Sequence, residues 1–246
     1  MDSRAIQTVV LISYAAEMRV GELSEAVDLP IPTIKYYLRE GLLPAGDVLW
    51  STRSTYDETH VARLRLIRVL VEIGKLSLNQ VRAVLATVDD DELSLHEAFS
   101  VAQDSLVNVP APTSKAGRAE LARATAMVDT FLATLGWRIR ADASVRTALA
   151  AALIALWRHG WDCDASVFAY LVPAAASVAA EDVASIDPTM PRNEAVARAV
   201  VGTVAFEQAF GALRRLALEH ESASRFAKRR AGAPPAGKAS PAVKPR

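Results

Sequence analysis

Two prolines flanking a single isoleucine, Pro30-Ile31-Pro32, separate two short helical patterns, and this break limits the possible folds more than any other feature of the chain. Proline has no N–H and turns the residue before it away from helical angles, yet it is tolerated in the first turn of a new helix. Upstream, Leu23, Ala26 and Val27 recur at i, i+3 and i+4 and predict an amphipathic helix from about Val20, with Glu22 and Glu25 pointing outward. Downstream, a second helix opens at about Pro32. In it Ile34, Tyr37 and Leu38 face inward, while Thr33, Lys35, Tyr36 and Arg39 stay free on the outer surface. Gly41 is the expected left-handed terminator, and Pro44 prevents any restart.

Helix, tight break, helix of this length is the helix-turn-helix arrangement, in which the first residues of the second helix reach base edges and phosphates in the major groove. Beyond it, Gly46-Asp47 and Ser51-Thr52-Arg53-Ser54 punctuate the apolar run Val48-Leu49-Trp50, which predicts a small hairpin with Arg53 as its single cation. Asp57-Glu58-Thr59 then supplies a helix start, followed by the stripe Val61, Leu64, Ile67, Val69, Leu70 and Ile73, with Gly74 as its end. The same periodicity puts Arg63, Arg65 and Arg68 on the outer side of that helix. Ser77 is the expected cap of a fourth helix carrying Leu78, Val81, Val84 and Leu85.

The order Thr33-Ile34-Lys35-Tyr36-Tyr37, then Gly41-Leu42-Leu43-Pro44, then Leu76-Ser77-Leu78 after a glycine, resembles the MerR family of bacterial transcription regulators over about residues 18 to 90. Lysine stands where the family usually has arginine, and Leu38 where it has an acidic residue. The resemblance implies a mainly α chain that begins with a winged helix-turn-helix of four helices plus a small β-hairpin wing, with Tyr56 as the aromatic before the third helix. It also implies DNA contacts from Thr33, Lys35, Tyr36, Tyr37, Arg39 and Arg53. A tyrosine pair in a helix is more often half-buried packing than a base contact; Tyr37 is the member better suited to packing and Tyr36 the better DNA candidate.

Charge alone does not argue for nucleic acid. The formal net charge is zero, and residues 18 to 85 hold nine Lys/Arg against eight Asp/Glu, so DNA binding rests on where the cations sit. Acidic residues gather at Asp89-Asp90-Asp91-Glu92, Glu97 and Asp104, with no Lys or Arg between Arg82 and Lys115. Residues 91–114 are therefore expected to be an acidic connector and linker turned away from phosphates. One cysteine, Cys163, and four scattered histidines fit a reducing cytoplasm and predict neither a metal site nor a cofactor. The sequence shows no glycine-rich phosphate loop and no paired nucleophile and base, so no enzyme is expected. No run of eighteen uncharged apolar residues occurs, so no membrane span is expected. The run Ile6 to Tyr14 is too short for a secretory signal and lacks a basic leader, which leaves residues 1–17 as an arm of open role.

After the linker Asn108–Ser114, four alanine-rich segments at helical spacing, at about 115–136, 144–160, 164–182 and 191–222, predict an all-α C-terminal domain over 115–224. A reader of an inverted repeat needs a self-associating face. One candidate lies on the last helix (Val196, Val200, Val204, Ala209, Leu213, Leu216). The other lies on the helix at 115–136 (Leu121, Met127, Val128, Phe131, Leu132, Leu135), which is slightly favoured by the resemblance. Trp157, Trp161, Phe168, Tyr170, Phe206 and Phe210 suit either a core or a pocket for a hydrophobic small-molecule effector. The tail 225–246, with seven Lys/Arg and no acid, is expected to be disordered. The expected protein is a cytoplasmic homodimeric regulator that binds double-stranded DNA, acts on RNA polymerase indirectly at the promoter, and does not engage a membrane. The alternative is an architectural or recombination accessory protein that bends DNA and senses nothing.

Overall fold

The computed structural model describes residues 17–49 and 53–230, without side-chain placement for 48, 49, 53 and 227–230. Most of the N-terminal arm, the hairpin tip with Trp50, and the tail from 231 thus lie outside the described residues. The chain divides after Ala205 into two units.

The first unit opens with α1 (Val20–Val27) and α2 (Ile31–Arg39), then the hairpin β1 (Asp47–Leu49) and β2 (Arg53–Thr55), α3 (Glu58–Arg68), α4 (Leu78–Asp89) and α5 (Leu95–Leu106). The strands pair antiparallel with Val48 opposite Ser54, and Met18 bridges to Tyr56 beside them. The break between α1 and α2 falls where the prolines require it. Asp28 takes a left-handed conformation, φ 51°, at the end of α1, and Pro30 caps α2 with no side-chain hydrogen bond. Gly41 ends α2 at φ +68°, as expected. At the end of α3 the chain differs from the sequence expectation. The helix widens into a π turn over Val69–Ile73, and the left-handed residue is Lys75, φ 56°, not Gly74. Gly74 is needed for another reason: a Cβ there would lie 2.8 Å from the Leu70 carbonyl oxygen and 3.2 Å from a Val204 methyl.

Asp57 caps α3 by accepting from the backbone N–H groups of Thr59 (3.0 Å) and His60 (3.3 Å). The Thr59 hydroxyl bond, joined by those from His60, holds the Asp57 carboxyl down at about 2. Because the folded value is depressed, this stabilisation is complete above the ordinary aspartate range and is lost as pH falls from about 4 towards 2. Asp57→Ala should cost about 1 kcal/mol, whereas Asp57→Asn should keep the cap and lose the acid-dependent step. Thermal melts of both variants across that pH range test it.

One cluster joins α1 to α5 around Leu23, Ile34, Leu64, Ile67, Leu70 and Val84, and it contains Ala98 and Ala102 of α5. The segment expected as connector 91–114 is therefore partly core: Ser94 caps α5 and exchanges hydrogen bonds with Glu97. The cluster also takes in Val196, Val200 and Val204 of the last helix, α9 (Arg192–Arg230). The Gln103 amide donates to the Thr203 hydroxyl at 2.7 Å, and Arg192 donates to the Leu93 carbonyl at 2.7 Å. These valines, offered above as a self-association face, are thus satisfied within their own chain.

A second cluster is built by α6 (Lys115–Ala133), α7 (Ser144–Arg158) and the 3-10 turn Ala165–Leu171, which leads into α8 (Val172–Ala184). Ala124, Val128, Leu153 and Ile154 are its centre, with Leu121, Met127, Phe131 and Leu132 packed against them. Much of the apolar face of α6, offered above for self-association, is therefore packed within its own chain, with Leu121, Met127, Phe131 and Leu132 left half-buried. Arg158 pairs with Glu120 at 2.6 Å, and Asp104 of α5 caps the first N–H of α7, Ser144, at 2.7 Å.

The second unit, Phe206–Arg246, contains the rest of α9, whose helix continues through Arg230, past the boundary of 225 expected for the tail. Ala165–Ala184 and Arg192–Phe226 are long and apolar enough to cross a membrane by length and composition alone. The expectation of no such segment rested on uncharged runs, which Glu181-Asp182 and Arg198 with Glu207 interrupt.

Candidate nucleic-acid interface

The outward face of α2 is set by what its inward face must cover. Ile34 is 0% and Tyr37 7% exposed, both within the first cluster. Tyr37 is therefore removed from the outward set, and its hydroxyl is pushed up first by burial and then by Glu72 and Tyr36. Thr33 and Tyr36 remain half-buried, and Lys35 and Arg39 are exposed one turn apart on one face. The Arg39 guanidinium lies 6.0 Å from the centroid of the Tyr36 ring, at the limit of a cation–π contact. Among the described residues neither Lys35 nor Arg39 has a carboxylate partner. Arg53 opens β2, and its side chain lies outside what is described.

Three further cations of the head, Arg63, Arg65 and Arg68, are occupied, which periodicity did not reveal. Arg63 donates to the Leu42 carbonyl at 2.6 Å and forks onto Asp89 at 2.7 and 2.8 Å, tying the end of α2 to the end of α4. Arg65 reaches the Ala26 carbonyl at 3.3 Å, and Arg68 reaches that of Val27 at 3.0 Å and the Glu72 carboxylate at 2.9 Å. These arginines, expected on an outer face, satisfy the last carbonyls of α1 and brace the turn that presents α2. Ala26, expected inward, is exposed.

The six aromatics proposed for an effector do not form one pocket. Trp157 and Trp161 share an open surface groove with Arg123, Met127, Cys163 and the aspartates 162 and 164. The Trp157 indole donates to the Cys163 carbonyl at 2.8 Å, and the Arg123 guanidinium stacks 4.2 Å from its centroid. Trp161 is 56% exposed. Phe168 packs into the second cluster while Tyr170 is 70% exposed, since residues two apart on a helical turn point to different sides. Phe206 and Phe210 belong to the other unit. Among the described residues no three His, Cys, Asp or Glu side chains are grouped so as to hold a metal ion.

Residues 18–88 match the family model described as MerR HTH family regulatory protein. A solved structure of SCO5550 from Streptomyces coelicolor A3(2), assigned as a transcriptional regulator, is 35% identical and superposes with a TM-score of 0.62. The match covers 85% of this chain and 98% of that one. The chain belongs to the MerR family. Among its MerR-type relatives is a mercuric resistance operon regulatory protein of Serratia marcescens, 30% identical over 92 residues, or 37% of this chain and 62% of that protein. Its counterpart from Bacillus cereus is 31% identical over 83 residues, covering 34% of this chain and 62% of that protein. This MerR-family chain therefore spans about three fifths of the length of the curated relatives it matches.

Proposed function

We propose that this chain is a homodimeric, sequence-specific DNA-binding transcription regulator of the cytoplasm. The observation that carries the reading is the division of labour among the head's cations. Arg63, Arg65 and Arg68 are bonded to carbonyls and carboxylates within the head, while Lys35 and Arg39 stand exposed on the outward face of α2 with no internal carboxylate partner. In this reading α2 enters a major groove, with Thr33 and Tyr36 beside the two cations and Arg53 of the hairpin on a neighbouring phosphate. Two copies read an inverted repeat and act on RNA polymerase by deforming the promoter between them. The open groove beside Trp157 and Trp161, which also presents Arg123, Asp162 and Asp164, is the site for an effector with both an aromatic and a polar part, and Asp104 of α5, which caps α7, links that cluster to α5.

The test is footprinting of the purified chain on the DNA around its own gene across a salt series. Protection of an inverted repeat supports the reading. Uniform binding without a preferred sequence overturns it in favour of an architectural DNA-bending role.

A further inference from the structure

The linker between α5 and α6 is fastened at both ends and unbonded between them. The Gln80 amide donates to the Val107 carbonyl at 3.4 Å, and Arg118 donates to the Thr113 carbonyl at 2.9 Å. Residues 108–112 make no hydrogen bond among the described residues, and Pro110 and Pro112 have no N–H to give. The stretch lies as a strap over the seam of α6 and α7. Val109 and Pro112 are half-buried while Pro110 and Ala111 are exposed, the spacing of three expected when one side of a polyproline-type segment rests on a surface.

Beneath the strap runs a half-open trough of about 490 Å³, floored by Leu121 of α6 and by Ala151, Ile154 and Ala155 of α7. Small residues keep it open. Ala151 and Ala155 stand one turn apart where larger side chains would fill the space, and Gly117 has none at all: a Cβ there would lie 3.0 Å from the Pro112 Cβ and 3.1 Å from the Ser114 hydroxyl. At the trough's edge stand two basic side chains, Arg158 and His159, and the lining contains no acid. Glu120, outside the lining, accepts from Arg158 at 2.6 Å, and none of the other guanidinium donors is used among the described residues.

We propose that this trough is a second ligand site, for an amphiphilic carboxylate whose apolar chain lies under the strap and whose acid group ends at Arg158 and His159. The apolar floor rejects a ligand charged along its length, because a charge placed there would lose its water without gaining a partner. The basic edge selects an anion over an amine and offers it charge-assisted hydrogen bonds. No lining residue is shared with the groove beside Trp157 and Trp161, so the site is separate from the one described above. A bound chain orders the strap, which follows directly on α5, and Ala98 and Ala102 of α5 lie in the core of the head.

The experiment is calorimetric titration of the full chain with decanoate below its micelle concentration, with decanol and decylamine as the neutral and cationic arms. Decanoate should bind about ten-fold more tightly than decanol, the margin of a charge-assisted hydrogen bond, and decylamine should bind most weakly. Ala155→Trp, at an exposed position, should abolish decanoate and decanol binding with the melt unchanged. Arg158→Gln with His159→Gln should bring decanoate down to the affinity of decanol, and Glu120→Gln, which releases the guanidinium, should tighten decanoate. Absence of decanoate binding overturns the proposal, and equal affinities for acid, alcohol and amine overturn the carboxylate assignment. Binding that survives Ala155→Trp but is lost in Trp161→Ala overturns the trough as the site. Each of these outcomes is independent of DNA binding, which the footprint tests.

Discussion

Replacing Leu64 by alanine is expected to lower the stability of the first unit by about 3 kcal/mol, the middle of the range for a fully buried leucine truncated in a packed core. Leu64 is 0% exposed and belongs to the cluster that also contains Leu23 of α1, Ile34 of α2 and Leu70 of the π turn. The side chain lost is therefore common to the elements that hold α2 in place. Part of the cost is the transfer of the missing methyl groups, and part is the void that these helices cannot close without breaking the arginine bonds to the α1 and α2 carbonyls. Calorimetry should show the loss as a fall of several degrees in the transition of the first unit. Val183→Ala, at an exposed site on α8, is the control and should move the transition by less than about 0.5 kcal/mol. A Leu64→Ala melt within a degree of wild type would mean that Leu64 does not occupy the centre of the head.

The parts legible in the sequence are those that obey local rules. The proline break, Gly41, the caps at Asp57 and Ser77 and the stripe Val61, Leu64, Ile67 each depend on neighbours within four residues, and each stands where the pattern placed it. Long-range choices were not legible. Periodicity marks Val196, Val200 and Val204 as an apolar face, but whether that face meets the head or another copy depends on a chain reversal over about a hundred residues, as in the Gln103–Thr203 bond. Arginine direction was hidden for the same reason: Arg63 and Lys35 look alike as surface cations, and only the approach of Leu42 and Asp89 turns Arg63 inward. The aromatic set failed on spacing and on long-range placement: Phe168 and Tyr170, two residues apart, point to different sides of their turn, and Phe206 and Phe210 belong to the other unit.

The cations that remain outward carry the other large expectation. Lys35→Ala with Arg39→Ala should weaken operator binding about a thousand-fold at physiological salt. Two cations per head in two heads make four phosphate contacts, and each contributes about 0.9 to the slope of log affinity against log salt. Their removal should flatten that slope by about 3.6, which at ~0.15 M salt corresponds to about three decades, or ~4 kcal/mol. Both side chains are exposed and unbonded to carboxylates, so the melt should not change, which separates this variant from Leu64→Ala. Arg65→Ala is the informative contrast. It removes one charge from the head, half of what the α2 pair removes, but one that donates to the Ala26 carbonyl, so it should disturb the brace of α1 while leaving the slope near that of wild type. If Arg65→Ala flattened the slope and the α2 pair did not, the surface facing the duplex would be that of α3, and the groove-reading role assigned to α2 would have to be abandoned.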